Sequence, residues 1–229
     1  MVVLNLGTKP VTRSAFDIIG PAMIGPSSSH TAGAVRIGLA ARHLLGRPPA
    51  RARIGLHGSF AATGQGHATD RGIVAGLLGW APDDERLKNS LKTAEGLGLF
   101  VEFHEVDLGE SIHPNSARIS LDDELLVIAS STGGGVIEVV LVDDYPVSFS
   151  CSLHTLVIWH EDRAGFLAHA TSALACMDSN IASIRTSRIR RGSESLTVIE
   201  LDEAPLEEVA ALITRINHVR KLRRLNPAP

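Results

Sequence analysis

The sequence predicts an α+β protein: an N-terminal α/β sandwich over residues 1–150, followed by a ferredoxin-like βαββαβ unit over 151–229. Three observations point there. Apolar residues between 32 and 142 switch between helical and strand periods. A tighter set from 155 to 225 runs strand, helix, strand, strand, helix, strand. The two textures meet at Asp143-Asp144-Tyr145-Pro146, where an apolar strand stops at turn-forming residues and 146–153 read as a linker.

In the first half, small and apolar residues at Ala34, Val35, Gly38, Leu39, Ala41 and Leu45 mark a helix over 32–45, with Arg36, His43 and Arg47 on its other side. Residues 53–57 read as a strand. A helix over 70–80 is expected to be capped by Thr69 or Asp70, and another over 84–96 is entered through Pro82. Strands are expected at 99–106, 117–121, 125–129 and 136–142, with Asp122-Asp123 as a hairpin turn, and a four-strand-plus-helix sandwich is the natural packing. In the second half, strand 155–160 turns at Gly165 into a helix over 166–177. A hairpin of 181–190 and 194–201 follows around Arg191-Gly192. Pro205 stands in the first turn of a helix with the stripe Leu206, Val209, Ile213 and Ile216, and 218–225 closes the unit as a strand.

Composition narrows the classes of function. Apolar residues are 44% of the 229 and aromatics only 4%, so Val, Ile, Leu and Ala must fill the core. A net charge of −3 gives no electrostatic reason to expect nucleic acid or an anionic membrane as partner. Cys151 and Cys176 stand apart with no metal-ligand spacing, which fits free thiols in a reducing cytoplasm. No secretory leader pattern and no long apolar span is evident, and a cytoplasmic location is the expectation.

Three polar clusters interrupt the first half. Gly25-Pro26-Ser27-Ser28-Ser29-His30-Thr31 places hydroxyls, an imidazole and a helix N-terminus together, a good place for a carboxylate. Capping alone explains any one serine, but not all three with a histidine. In Gly64-Gln65-Gly66-His67-Ala68-Thr69-Asp70 the third glycine of a dinucleotide fingerprint is missing, and no Gly-Lys-Ser/Thr follows. What remains is a tight turn presenting His67 at a helix entrance, with Asp70 able to orient it as a general base. In Ser111-Ile112-His113-Pro114-Asn115-Ser116, proline stiffens a loop carrying two polar side chains. The absence of a GxSxG elbow excludes a serine hydrolase of that type. A metal site built from His30, His67 and His113 stays open, although no ligand-type spacing supports it.

The run Phe16-Asp17-Ile18-Ile19-Gly20-Pro21, continuing into 25–33, closely resembles the β subunit of iron–sulfur-dependent L-serine dehydratases (L-serine ammonia-lyases). Gly66-His67-Ala68-Thr69-Asp70-Arg71-Gly72, His113-Pro114-Asn115 and Ser131-Thr132-Gly133-Gly134-Gly135 match that family in the same order. The first half also resembles the allosteric substrate-binding domain of some phosphoglycerate dehydrogenases. Glu161-Asp162-Arg163-Ala164-Gly165-Phe166-Leu167, with Asn180-Ile181, resembles the strand-to-helix turn of ACT domains, although Ala164 replaces the usual proline. The resemblance implies deamination of L-serine to pyruvate and ammonia. It implies a 4Fe-4S cluster on a separate α subunit, since two isolated cysteines cannot hold one, and no metal on this chain. It implies His67 as the base that removes the Cα proton, and Ser28, Ser29, His30, Thr31, Asp70, His113 and Asn115 as substrate-binding residues. It implies Asp162, Gly165 and Asn180 as effector contacts in an ACT unit that could also pair two chains. The alternative is a regulatory serine-binding subunit without catalytic residues.

Overall fold

The computed structural model describes residues 22–64 and 66–228. The run at 16–21, which opens the first recognised motif, and Gln65 of the second lie outside the described residues.

A π-helical turn, Ser28–Ala32, leads into helix α1 (Gly33–Leu45). Strand β1 (Arg51–His57) is followed by a one-turn helix α2 (Ser59–Thr63) and by α3 (Thr69–Leu77). A 3₁₀ turn, Glu85–Asn89, then continues into α4 (Ser90–Gly96). The remaining strands are β2 (Phe100–Glu105), β3 (Ser116–Leu121), β4 (Leu125–Gly133), β5 (Val136–Val142) and β6 (Tyr145–Phe149).

These strands form one six-stranded sheet in the order β2-β1-β3-β4-β5-β6. Only β1 and β2 run parallel, because only they are joined by a long helical crossover. The β3–β4 turn is the expected Asp122-Asp123 hairpin, with φ of 53° and 56° at the two residues. Asp122 adds a second function, its carboxylate accepting from the N–H groups of Ala50 and Arg51 at 2.9 and 2.7 Å. Helices α1, α3 and α4 cover one face of the sheet over Ala52, Ile54, Ile119, Val127 and Val139, and Arg51, Arg53 and Arg118 face away, exposed.

The expected four-strand sandwich is corrected to a six-stranded sheet: β1, expected as a strand at 53–57, joins it, and one strand falls outside the expectation. The sixth strand, β6, lies in the segment read as a linker. Its turn residues do end β5, Asp143 adopting a φ of 53°, but the chain doubles back and pairs again. Pro146 is tolerated because β6 is an edge strand, and Tyr145, Val147 and Phe149 alternate into the core. Two caps also differ. Ala68, not Thr69 or Asp70, occupies the N-cap of α3, and Leu206 rather than Pro205 borders the last helix.

What fixes the position of α1 is a close helix crossing. A Cβ on Gly38 would stand 2.1 Å from the Ile73 carbonyl, and one on Gly76 would stand 2.1 Å from the Val35 carbonyl. Only glycine permits that approach, and it draws the starts of α1 and α3 together.

The second unit comprises β7 (His154–Glu161), α5 (Phe166–Ala175), β8 (Ile181–Arg188), β9 (Glu194–Leu201), α6 (Glu207–Thr214) and β10 (Val219–Leu225). Its sheet order β10-β7-β9-β8, antiparallel throughout, is that of the expected ferredoxin-like unit. Leu156, Ile158, Ile199 and Leu201 pack under the two helices. Val157, Trp159, Leu196 and Val198 point the other way, into a core shared with Tyr145, Val147 and Phe149 of the first unit. Polar ties reinforce that contact. The Trp159 indole donates to Asp143 at 2.9 Å, and the Arg223 guanidinium donates to the terminal carbonyls of α1, Leu44 and Leu45, at 3.0–3.2 Å. No helix among the described residues is long and apolar enough to cross a membrane.

Candidate functional site

The serine-rich turn is built around Ser27. Its hydroxyl accepts the His30 N–H at 3.2 Å, and its carbonyl accepts the Thr31 N–H at 2.8 Å. The turn therefore caps itself, which fixes the outward direction of His30. That imidazole is then held from both sides, by the Ser29 hydroxyl at 3.1 Å from Nδ1 and the Ser59 hydroxyl at 3.1 Å from Nε2. Burial depresses the His30 pKa first, and the neighbouring His67 lowers it further, against an opposing contribution from the Ser59 contact. A neutral imidazole between two hydroxyls is an oriented dipole that can donate or accept according to its tautomer.

Next to it stands His67. The two rings are 5.1 Å apart at a 45° tilt, and Phe60 closes the other side of His30 at 5.2 Å. The loop carrying His67 is tied to the serine turn, because Thr31 Oγ1 donates to the His67 carbonyl at 2.9 Å. It is also strained: Ala68 sits in the left-handed region at φ 58°, ψ 31°, which costs a residue with a Cβ about 1–2 kcal/mol. The result is an exposed His67 side chain whose ring nitrogens have no hydrogen-bond partner among the described residues. The Thr69 hydroxyl, fully buried beside it, is unpartnered as well.

His67 and Asp70 line a cleft of about 610 Å³ between α2, the start of α3 and β2, with Leu56, Ala62, Phe103 and Glu105 as further walls. Ser28, Ser29, His30 and Thr31 do not line it, so the cleft reaches His67 but not the serine turn behind it. Asp70 does not orient His67. Its carboxylate instead accepts the next backbone N–H, that of Arg71, at 2.8 Å.

The third cluster supports the first through Gly58–Phe60. The Pro114 carbonyl accepts the Phe60 N–H at 3.4 Å and would stand 2.8 Å from a Cβ on Gly58, which also adopts a φ of 55°. His113, exposed, folds back on its own loop to accept the Asn115 N–H at 3.0 Å, and the Asn115 carbonyl accepts the Ser131 N–H at 2.8 Å. Neither side chain lines the cleft. The residue that sequence reading missed is Ser59, which stands 29 positions from His30. The only local signal for it is the Gly58-Ser59 pair directly after a strand.

In the second unit, Gly165 adopts φ 91° and opens α5 as expected. Asp162 accepts from the Gly192 N–H at 2.9 Å and from Arg188 at 2.7 Å, contacts that hold its carboxyl below the usual carboxylate range. Asn180 lies past the far end of α5, bonded to Asp202, so a single chain does not bring it to Asp162 and Gly165.

Thiol ligands are few, two in all. Cys151 is buried and its thiol is pushed up to about 12, chiefly by burial, while Cys176 is exposed. Among the described residues no three His, Cys, Asp or Glu side chains gather into a metal-binding group.

A family model described as "Serine dehydratase beta chain" matches residues 14–98, and an ACT domain model matches 154–218. The chain is 42% identical over 194 residues to a probable L-serine dehydratase, beta chain, of Bacillus subtilis (strain 168), covering 83% of this chain and 88% of that one. It is 36% identical over 204 residues to the L-serine dehydratase, beta chain, of Peptoniphilus asaccharolyticus, covering 87% and 92%. Its match to L-serine dehydratase 2 of Escherichia coli (strain K12) is 36% identical and takes in 54% of this chain but only 33% of that protein.

Proposed function

The chain belongs to the L-serine dehydratase β-chain family, and from that premise we propose that it is one subunit of an enzyme that deaminates L-serine to pyruvate and ammonia. The observation that carries the catalytic reading is the exposed, unbonded imidazole of His67 beside the fixed imidazole of His30. In this reading His67 accepts the Cα proton of bound L-serine. A base needs an accessible ring nitrogen at the mouth of a cleft, and His67 is exposed and lines one.

His30 acts differently. Kept neutral by burial and clamped by Ser29 and Ser59, it holds a fixed dipole towards His67 and the substrate's polar groups. Ser28 and Thr31 maintain the turn, and Asp70, whose carboxylate lines the same cleft, faces the substrate ammonium. His113 and Asn115 serve as a brace for Gly58–Phe60 and so for Ser59, a narrower role than substrate contact.

The 4Fe-4S cluster implied by the family does not fit this chain. Its two cysteines are separate, one of them buried with a strongly disfavoured thiolate, and among the described residues no other donor group substitutes. We therefore place the cluster on a partner subunit and derive no step through it here. The division agrees with the E. coli relative, in which the part matched by this chain is a third of a longer polypeptide. The test is anaerobic co-production of this chain with its candidate α subunit, followed by assay of pyruvate release from L-serine. Activity that requires both chains is expected. Full activity of the partner alone would refute the proposal.

A further inference from the structure

The cleft beside His67 is much larger than its proposed substrate. About 610 Å³ lies within the range of sites for drug-sized ligands, about 300–1,000 Å³, whereas L-serine has seven non-hydrogen atoms. Something else must occupy most of that space for water to be excluded from the reacting groups. One wall of the cleft shows what shape that occupant has. Phe103, His104 and Glu105 belong to β2, the outermost strand of the sheet. The N–H groups of Phe100 and of Val106, the residue after the strand, bond inward to the Ala50 and Leu56 carbonyls at 2.9 Å. Strand alternation therefore leaves the N–H and C=O groups of Val101, Phe103 and Glu105 directed outward along an open edge.

Native sheets protect such edges with lysines, prolines, bulges or a covering element. Among the described residues this one has no lysine, proline, bulge or covering element, and its only protection is the charge of Glu102 and Glu105. Leu97 and Phe100 are among the most exposed large apolar residues described, at 71% and 62%, and both flank the edge. The segment from Phe100 to Ser116 also carries Glu102, Glu105, Asp107 and Glu110 and no lysine or arginine. Each of these carboxylates is exposed, and among the described residues none is in an ion pair with a lysine or arginine.

We propose that β2 is a docking edge for the partner subunit, which adds an extended segment of alternating apolar and basic residues to the sheet and closes the cleft over His67. Backbone pairing supplies the ladder, apolar side chains cover Leu97 and Phe100, and lysine or arginine side chains meet the four carboxylates. This rests on the reading of the chain as one of two subunits, and it says where the second subunit lies. It also explains why the cleft alone is too open to be a serine site.

The experiment uses the purified full chain titrated with the partner subunit, anaerobically. The double variant Leu97→Lys/Phe100→Lys changes only exposed side chains, and Ile189→Lys, 62% exposed on the second unit, serves as the control. Thermal unfolding checks that each folds. The double variant is expected to raise the Kd about ten- to a hundredfold, the control less than twofold. Hydrogen exchange should show the Val101, Phe103 and Glu105 amides exchanging fast in the free chain and slowly in the complex. Wild-type affinity in the double variant, or unchanged exchange at those amides, overturns the docking proposal while leaving the two-subunit reading intact. Protection of the edge in the free chain as concentration rises assigns it to a second copy instead and also overturns it. No complex with the wild-type chain overturns both.

Discussion

The crossing of α1 and α3 is where a single methyl group should tell most. Gly76→Ala places a Cβ 2.1 Å from the Val35 carbonyl and 2.6 Å from the Leu39 nitrogen. Both obstructing atoms are backbone, so no rotamer change relieves the clash, and the helices must separate by most of an ångström. Overpacking of this kind costs about 1–3 kcal/mol, here towards the upper end. Alanine recovers up to ~1 kcal/mol through its better helix propensity. The net is a destabilisation of about 1–2 kcal/mol, or a Tm lower by about 2–8 °C for a chain of this length. Thermal unfolding by circular dichroism measures it. The same separation should disturb the pair at the helix starts, so the His30 and His67 imidazole resonances should shift in an NMR spectrum of the variant. A Tm equal to or above wild type would refute the reasoning, because helix propensity would then have outweighed a contact that is not close.

Three further outcomes follow from the geometry. Ser59→Ala removes the partner of His30 Nε2; turnover in the assembled enzyme should fall about tenfold, the net worth of one hydrogen bond at roughly 1.4 kcal/mol, and unchanged kinetics would remove Ser59 from the site. The pKa values of His30 and His160 are both held below 6.5, mainly by burial. The folded chain therefore binds fewer protons than the unfolded one, and stability is full above the unfolded value and lost as pH falls through 6.5 towards the folded values. Urea midpoints should decline from pH 7.5 to 5.5, less steeply in His30→Gln, and a flat or rising series would contradict this. Finally, the native chain should react with a thiol-specific alkylating reagent at Cys176 alone at pH 8, because Cys151 is buried with its thiol at about 12; labelling of both cysteines before unfolding would contradict the burial.

Much of this molecule is legible in its sequence because periodicity and turn chemistry are local. The Asp122-Asp123 hairpin, the strand over Val136–Val142 and the Glu194–Leu201 strand needed nothing beyond neighbouring residues. The sixth strand escaped for a tertiary reason. Pro146 reads as a stop, and only its place at the sheet edge, against the second unit, makes a strand permissible there. The candidate site divides the same way. His30 and His67 announce themselves by the company they keep in sequence, but their 5.1 Å proximity depends on Gly38 and Gly76 meeting across two helices. Ser59 carries no motif, and its role exists only once β1 delivers it to the serine turn. Asp70 illustrates the opposite error. Adjacency to His67 suggested an orienting carboxylate, yet a residue in the first turn of a helix finds a backbone N–H closer at hand.

The reading of His67 as the base at the shared site is tested most directly by the kcat of the assembled enzyme carrying His67→Ala. A positioned base contributes about 10²–10⁴-fold, so kcat for pyruvate formation should fall by that factor while the affinity of the two subunits and the Tm of this chain stay at wild-type values. A variant complex that keeps its maximal rate and changes only its dependence on L-serine concentration would contradict the account, and would make this chain a regulator rather than half of an active site.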